Sequence, residues 1–247
     1  MSDHILISQD NGVLIIQMNR PEKKNALTRA MYAEMAAALQ EATTDDNIRV
    51  VLFTGTGASF TSGNDLLDFI NLPGPDEPRP VEDFLRAISS FNKPIVAAVN
   101  GLAIGVGVTM LLHCDFVYAA ETATFRLPFV NLGVVPEAGS SLLLSQLVGV
   151  RKATELFMLG EWFDAPTAEE LNLINGTTTA EDLLPYTHKQ IDKLLQQPTE
   201  ALQITKQLLK RPLASAIQET ISHETELFQQ RLLSAETQAI FMKMMQR

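Results

Sequence analysis

Two runs in this chain, Val50-Val51-Leu52-Phe53-Thr54 and Pro94-Ile95-Val96-Ala97-Ala98-Val99, are apolar at nearly every consecutive position, and each leads into glycines and then a helix-like segment. A strand of alternating character can leave one face wet, whereas a strand without alternation must be covered on both faces. Helices supply that cover in α/β folds, where strands and helices alternate along the chain. The first two thirds follow this rule. Ile5 to Ile7 and Val13 to Met18 flank Asp10-Asn11-Gly12, a hairpin signal. Thr28 to Ala42 places Met31, Met35, Ala38 and Leu39 on one helical face. Leu66 to Ile70, Glu82 to Phe91, Gly105 to Cys114, Ser140 to Val148, Lys152 to Leu159 and Thr167 to Leu173 read as helices, and Asp115 to Ala119 as a further strand. Leu72 to Pro80, with four prolines, reads as a loop. From Ala180 the chain reads as helix only: Tyr186 to Leu195, Thr199 to Lys210, and Leu213 to Met244 with a break near Ser234. The expectation is an α/β core over 1–195 and a helical region over 196–247 that docks on a neighbour or folds back over the site.

Charge and cysteine content remove several functions. With 19 Lys+Arg against 29 Asp+Glu the net charge is −10, the wrong sign for a nucleic-acid binder. One cysteine, Cys114, can form neither an internal disulfide nor a thiolate metal site, and no metal site is expected. The longest apolar stretch, Gly101 to Leu112, is about half the ~20 residues a membrane span requires. The first residues lack the basic and apolar regions of a signal peptide, so the expectation is a cytoplasmic protein with no membrane partner.

Gly55-Thr56-Gly57 follows a buried strand, but Phe60 stands where a dinucleotide fingerprint needs its third glycine, which argues against a nicotinamide site. Neither a phosphate-binding Gly-Lys-Ser/Thr loop nor a G-x-S-x-G elbow is present. Two strand-to-helix junctions are more informative: Ser59-Phe60-Thr61-Ser62-Gly63-Asn64-Asp65-Leu66 and Asn100-Gly101-Leu102-Ala103-Ile104-Gly105-Val106-Gly107. Each combines small residues with the unpaired N–H groups of a helix N-terminus, where negative charge is favoured. Facing each other, they would make an oxyanion hole from main-chain donors; taken singly, each is better read as a tight turn with close helix–strand packing.

The set Asn19-Arg20-Pro21, Ala26-Leu27, Phe60 to Leu66, Lys93 to Gly101 with Gly105-x-Gly107, and Cys114-Asp115 resembles the crotonase (enoyl-CoA hydratase/isomerase) superfamily over nearly the whole chain. The resemblance implies a spiral of ββα units with a C-terminal all-helical region that builds trimers or dimers of trimers. It also implies a thioester enolate held by two backbone N–H groups, here those of Asn64 and Val106. Where two-glutamate hydratases of the family carry their carboxylates, this chain has Thr109 and Phe129. Instead Pro136-Glu137-Ala138-Gly139-Ser140-Ser141 resembles a segment of the peroxisomal-type Δ3,Δ2-enoyl-CoA isomerases. On the residues alone Glu137 is as readily a helix-N-terminal carboxylate; the resemblance makes it the single acid/base that moves a proton from the alpha to the gamma carbon. The alternatives are another crotonase reaction (hydration or thioester hydrolysis) or a non-catalytic acyl-CoA-binding module.

The same resemblance implies an acyl-CoA substrate and no separate cofactor, coenzyme A arriving with the substrate. It puts the nucleotide near Arg20, Lys23, Lys24 and the Ala26 carbonyl, and the pantetheine along Ser62, Gly63, Asn64, Asp65 and Leu66, with Gly105 at the second turn. Asp65 is expected to cap the helix after it. Lys206, Lys210 and Lys243 are further candidates for the ribose phosphate, and Leu67, Phe69, Ile70 and the proline-rich loop for the acyl tail.

Overall fold

A computed structural model of the chain describes residues 3–70 and 77–245. β1 (Ile5–Asp10) and β2 (Val13–Met18) form an antiparallel hairpin. Its turn residues Asn11 and Gly12 have φ of 46° and 85°, the left-handed pair that matches strand twist. α1 (Arg29–Thr44) starts where the Thr28 hydroxyl accepts the Met31 N–H.

Three repeats follow. In each, a long strand is succeeded by a three-residue strand and then by helix: β3 (Val50–Gly55), β4 (Ser59–Thr61), α2 (Leu66–Ile70) and α3 (Pro80–Ser90); β5 (Ile95–Val99), β6 (Leu102–Ile104) and α4 (Val106–Thr109); β7 (Phe116–Ala120), β8 (Thr124–Arg126), α5 (Ser140–Val148) and α6 (Val150–Leu159). The chain then adds β9 (Trp162–Asp164), α7 (Ala165–Glu170), β10 (Gly176–Thr178), α8 (Leu183–Leu195), α9 (Thr199–Lys210), α10 (Ala214–Leu232) and α11 (Ala235–Met245). The long strands join a six-stranded sheet in the order β1-β2-β3-β5-β7-β10, and the short ones a four-stranded sheet in the order β4-β6-β8-β9. Within the repeats all pairings are parallel. This is the crotonase architecture of successive ββα turns.

The apolar runs are explained by two cores. Val51, Phe53, Ile95, Ala97, Val117 and Ala119 face one side, with α1 and α3. Val50, Leu52, Val96, Ala98 and Tyr118 face the other, where Leu183 and Ile191 of α8 cover them. A residue of either parity is therefore buried, and alternation has no place.

The structure departs from the sequence reading in instructive places. The three-residue strands β4, β6, β8, β9 and β10 went unread, since three residues carry no period. Gly105 to Cys114 is not one helix but α4 followed by a 3-10 turn over Met110–His113. The 213–244 helix divides into α10 and α11 around Leu233 and Ser234, as expected. Of the two outcomes left open for the helical tail, folding back is seen within this one chain: α10 packs on α3 and α5. Among the described residues no helix is long and apolar enough to cross a membrane.

Candidate active site

Because β4, β6 and β8 run parallel side by side, the turns that leave them converge at one end of the small sheet. The first turn packs on the second so tightly that a Cβ on Gly63, whose φ is +88°, would sit 2.8 Å from the Ile104 carbonyl oxygen. Leu27 N–H donates to Gly63 O at 2.8 Å, and Asp65 N–H to Leu27 O at 2.9 Å. In such a parallel bridge the intervening residue, Asn64, turns its own N–H to the opposite side. At the second turn Gly105 N–H is held by Arg126 O at 2.9 Å, and Val108 and Thr109 N–H donate to Gly105 O. Val106 opens α4, so its N–H belongs to the first-turn donors that have no intrahelical acceptor.

The third turn brings Glu137. It is 5% exposed, and the Thr109 hydroxyl donates to its Oε1 at 2.5 Å. Burial pushes this carboxyl up to about 7; the Thr109 hydrogen bond works against the rise and the charge of Glu224 adds to it. An apolar cavity opens in front, walled by Leu27, Tyr32, Leu85, Phe228 and Leu232, with Asn64 and Glu137 among its polar lining. The Tyr32 hydroxyl donates to Asn64 Oδ1. Two further carboxylates line the cavity but are engaged: Asp68 accepts the Arg29 N–H at 2.6 Å, and Glu82 accepts from Gln229 Nε2 at 2.8 Å.

Of the sequence-predicted residues, Asn64 and Glu137 thus share one cavity. Val106 and Gly105 are not among its lining residues, but Val106 opens the four-residue helix whose last member, Thr109, holds Glu137. Asp65 caps α2 as expected, accepting Leu67 N–H at 2.9 Å. Its other oxygen binds Arg20 Nη1 at 2.6 Å, and the same nitrogen reaches the Ala26 carbonyl at 3.1 Å. Arg20 is therefore an internal tie, and Lys23 and Lys24 are the exposed cations of that loop. Ser62 is fastened beneath them, its N–H donating to Lys24 O at 2.9 Å, and half-buried Leu66 starts α2. Lys206 departs from expectation. It is buried, paired with Asp115 Oδ2 at 2.6 Å and donating to Lys93 O, while Lys210 donates to His113 O. Both pair with Asp115; Lys243 is exposed. The side chains of Phe69 and Ile70 and positions 71–76 of the proline-rich loop lie outside the described residues.

Sequence reasoning missed Asn25, Tyr32, His113 and Glu224. Asn25, fully buried with φ +56°, spends its side-chain amide on the carbonyls of Thr56, Ser59 and Phe60 and so pins the basic loop to β4. Tyr32 had one available signal, a hydroxyl on the apolar face of α1. Glu224 had none, since its partners lie more than 80 positions away.

The family model described as enoyl-CoA hydratase/isomerase matches residues 8–246. The chain is 33% identical over 241 residues to the rat (Rattus norvegicus) enoyl-CoA delta isomerase 2, covering 95% of this chain and 61% of that protein. It thus spans about three fifths of that relative's length. It is also 33% identical over 227 residues to the 2,3-dehydroadipyl-CoA hydratase of Escherichia coli K12, covering 91% and 88%. Among solved structures, Pseudomonas aeruginosa OdaA superposes with a TM-score of 0.96 at 42% identity, with all of both chains covered.

Proposed function

The chain belongs to the enoyl-CoA hydratase/isomerase family, and from that premise we propose that it is a Δ3,Δ2-enoyl-CoA isomerase, converting a 3-enoyl-CoA to the 2-trans isomer with Glu137 as the only acid/base. The observation that carries this reading is that, among the described residues, Glu137 is the one buried carboxylate lining the cavity. Thr109 and Phe129 occupy the positions of the two hydratase glutamates, and the other carboxylates of the cavity, Asp68 and Glu82, are bound to Arg29 and Gln229. Hydration needs a second group to position water. A double-bond shift needs one base that takes a proton from the alpha carbon and returns it to the gamma carbon on the same face.

The chemistry follows in order. Burial brings Glu137 to about 7, so near neutral pH it is ionised often enough to act as a base and basic enough to hold the proton it takes. Removing the alpha proton moves negative charge onto the thioester oxygen. In this reading the N–H groups of Asn64 and Val106 receive that charge, preorganised by the Leu27 bridge and by the start of α4. Tyr32 fixes the Asn64 side chain and with it the donor. The acyl chain enters the cavity between α1, α3 and α10, and the nucleotide lies toward Lys23 and Lys24. Coenzyme A belongs to the substrate, and the reading calls for no resident cofactor.

The test is an assay on a 3-enoyl-CoA and on a 2-trans-enoyl-CoA, wild type beside Glu137→Gln. Formation of the conjugated thioester from the first, abolished in the variant, supports the isomerase. Turnover of the second alone makes the protein a hydratase, and turnover of neither, with saturable binding, points to another thioester chemistry or to an acyl-CoA-binding module.

A further inference from the structure

Glu137 is followed by a backbone feature that the reaction itself does not explain. Ala138 has φ +63° and Gly139 φ +70°. Glycine takes the left-handed region freely, but an alanine there is strained by its Cβ. Something must hold the segment. The peptide unit joining Ala138 to Gly139 is bound at both ends: its carbonyl oxygen lies 2.7 Å from His113 Nε2, and its N–H donates to Glu224 Oε2 at 2.6 Å. A carbonyl only accepts, so Nε2 of His113 carries the proton. The second oxygen of Glu224 takes the Ser141 N–H at 2.9 Å, which makes the carboxylate the N-terminal acceptor of α5. His113 and Glu224 are both buried, and neither lines the cavity.

We propose that His113 and Glu224 are positioning residues that grip the Ala138–Gly139 peptide from opposite sides and thereby aim the Glu137 carboxylate at the substrate. This rests on the reading of Glu137 as the base. His113 closes the same short segment, 106–113, that carries Val106 and Thr109, so oxyanion donor, carboxylate partner and peptide clamp move as one piece. Glu224 precedes Thr225 on α10, a helix that walls the cavity with Phe228, Gln229 and Leu232. The clamp thus couples the base to the wall against which the acyl chain lies. Glu224 does a second thing: its charge makes ionisation of Glu137 harder. The other titratable groups around Glu137 are Tyr32 of α1, kept neutral by burial, and His113, whose burial holds it down at about 4. Asp68, Arg29, Arg79 and Glu82 stand along the cavity.

The experiment uses the full chain and two readouts: exchange of the alpha protons of butyryl-CoA in deuterated water, and titration of the Glu137 carboxyl carbon by 13C NMR without substrate. Glu224→Gln should slow saturated exchange on the order of 10–100-fold, the cost of a misplaced base, with the half-saturating butyryl-CoA concentration little changed. Its Glu137 should titrate at lower pH, because a like charge is gone. His113→Phe should slow exchange without removing any charge from the site. Adding Ala138→Gly to Glu224→Gln relieves the left-handed alanine; it should restore thermal stability but neither exchange nor titration, and it serves as the folded test should Glu224→Gln not fold. Wild-type exchange in both single variants, or a Glu137 titration unmoved by loss of Glu224, overturns the proposal. If the wild type exchanges no alpha protons, it is the reading of Glu137 as base that fails, and the NMR titration alone then decides whether Glu224 acts on Glu137.

Discussion

The turn after β4 and the loop ahead of α5 each close a carboxylate off from solvent, with Asp65 9% exposed and Glu137 5%, though Glu137 is the more deeply enclosed of the two. They are treated in opposite ways. Burial works to raise the Asp65 carboxyl, but the Arg20 hydrogen bond, the Leu67 N–H and the Arg20 charge overcome it and hold the group below its usual range. Glu137 faces burial with one hydroxyl as partner, and it rises to about 7. Closure from solvent alone therefore does not decide how a carboxylate titrates: Asp65 combines shallower enclosure with a cation at hydrogen-bonding distance, and Glu137 deeper enclosure with a neutral hydroxyl. The first turn is locked as structure, and the second keeps a group that can gain or lose a proton near neutral pH.

The largest effect that would break this contrast lies at Glu137. Glu137→Gln should lower turnover by about 10²–10⁴-fold, the usual contribution of a positioned acid/base, while acyl-CoA binding measured by calorimetry persists. Asp65→Asn should do the reverse. It leaves Arg20 without its carboxylate and should cost about 2–3 kcal/mol of stability in urea unfolding, with turnover falling only as far as the first turn loosens. The pH dependence of unfolding separates the two sites. The folded state raises Glu137 from 4.5 to about 7, so its contribution is complete below 4.5 and is lost as pH rises through 7. Asp65 is lowered from 3.8, so its contribution is present above 3.8 and is lost as pH falls through its lower folded value. Glu137→Gln should erase the slope between 4.5 and 7 and spare the acid limb, and Asp65→Asn the converse.

Thr109→Val sharpens the same contrast by taking away the side-chain hydrogen-bond partner that Glu137 has among the described residues. The hydroxyl favours the charged form, so its loss should move the acid limb of kcat/KM to higher pH, with a smaller fall in the plateau than Glu137→Gln produces. A limb left in place would mean that the hydroxyl orients Glu137 without tuning it.

How much of this was legible in the sequence follows the length of each signal. The long strands β3 and β5 announce themselves by unbroken apolar runs, and α1 by the spacing of Met31, Met35 and Leu39. The small sheet that gathers the three turns is made of three-residue strands, so the sequence showed the turns but not what sets them side by side. Asn64, Val106 and Glu137 were reached through motifs and resemblance. The residues that support them, Tyr32, His113 and Glu224, were not, because each acts through a contact between distant segments that no local pattern records. Arg20 shows the converse: its place in a basic loop pointed outward, and only the fold turns its guanidinium inward to Asp65, 45 positions away.

The smallest expected effect concerns the cations, among which Lys206 shows burial prevailing over a close partner. Lys206 is buried against Asp115, and burial, helped by the charge of Lys210, brings its ammonium down to about 8 although Asp115 works to raise it. Lys23 and Lys24 are exposed beside a backbone that Asn25 and Ser62 hold in place. An exposed charge is screened by solvent and salt, and each contributes about 0–1 kcal/mol to holding an anion. Lys23→Ala with Lys24→Ala should therefore raise KM for an enoyl-CoA by no more than about thirtyfold, leave kcat in place, and flatten the salt dependence of KM. The same thioester carried on a short pantetheine without the nucleotide should show no difference between variant and wild type, because the phosphates those lysines would meet are absent from it. A loss that appeared equally with the truncated substrate would place the lysines' effect in the packing of the loop on β4 rather than in their charge.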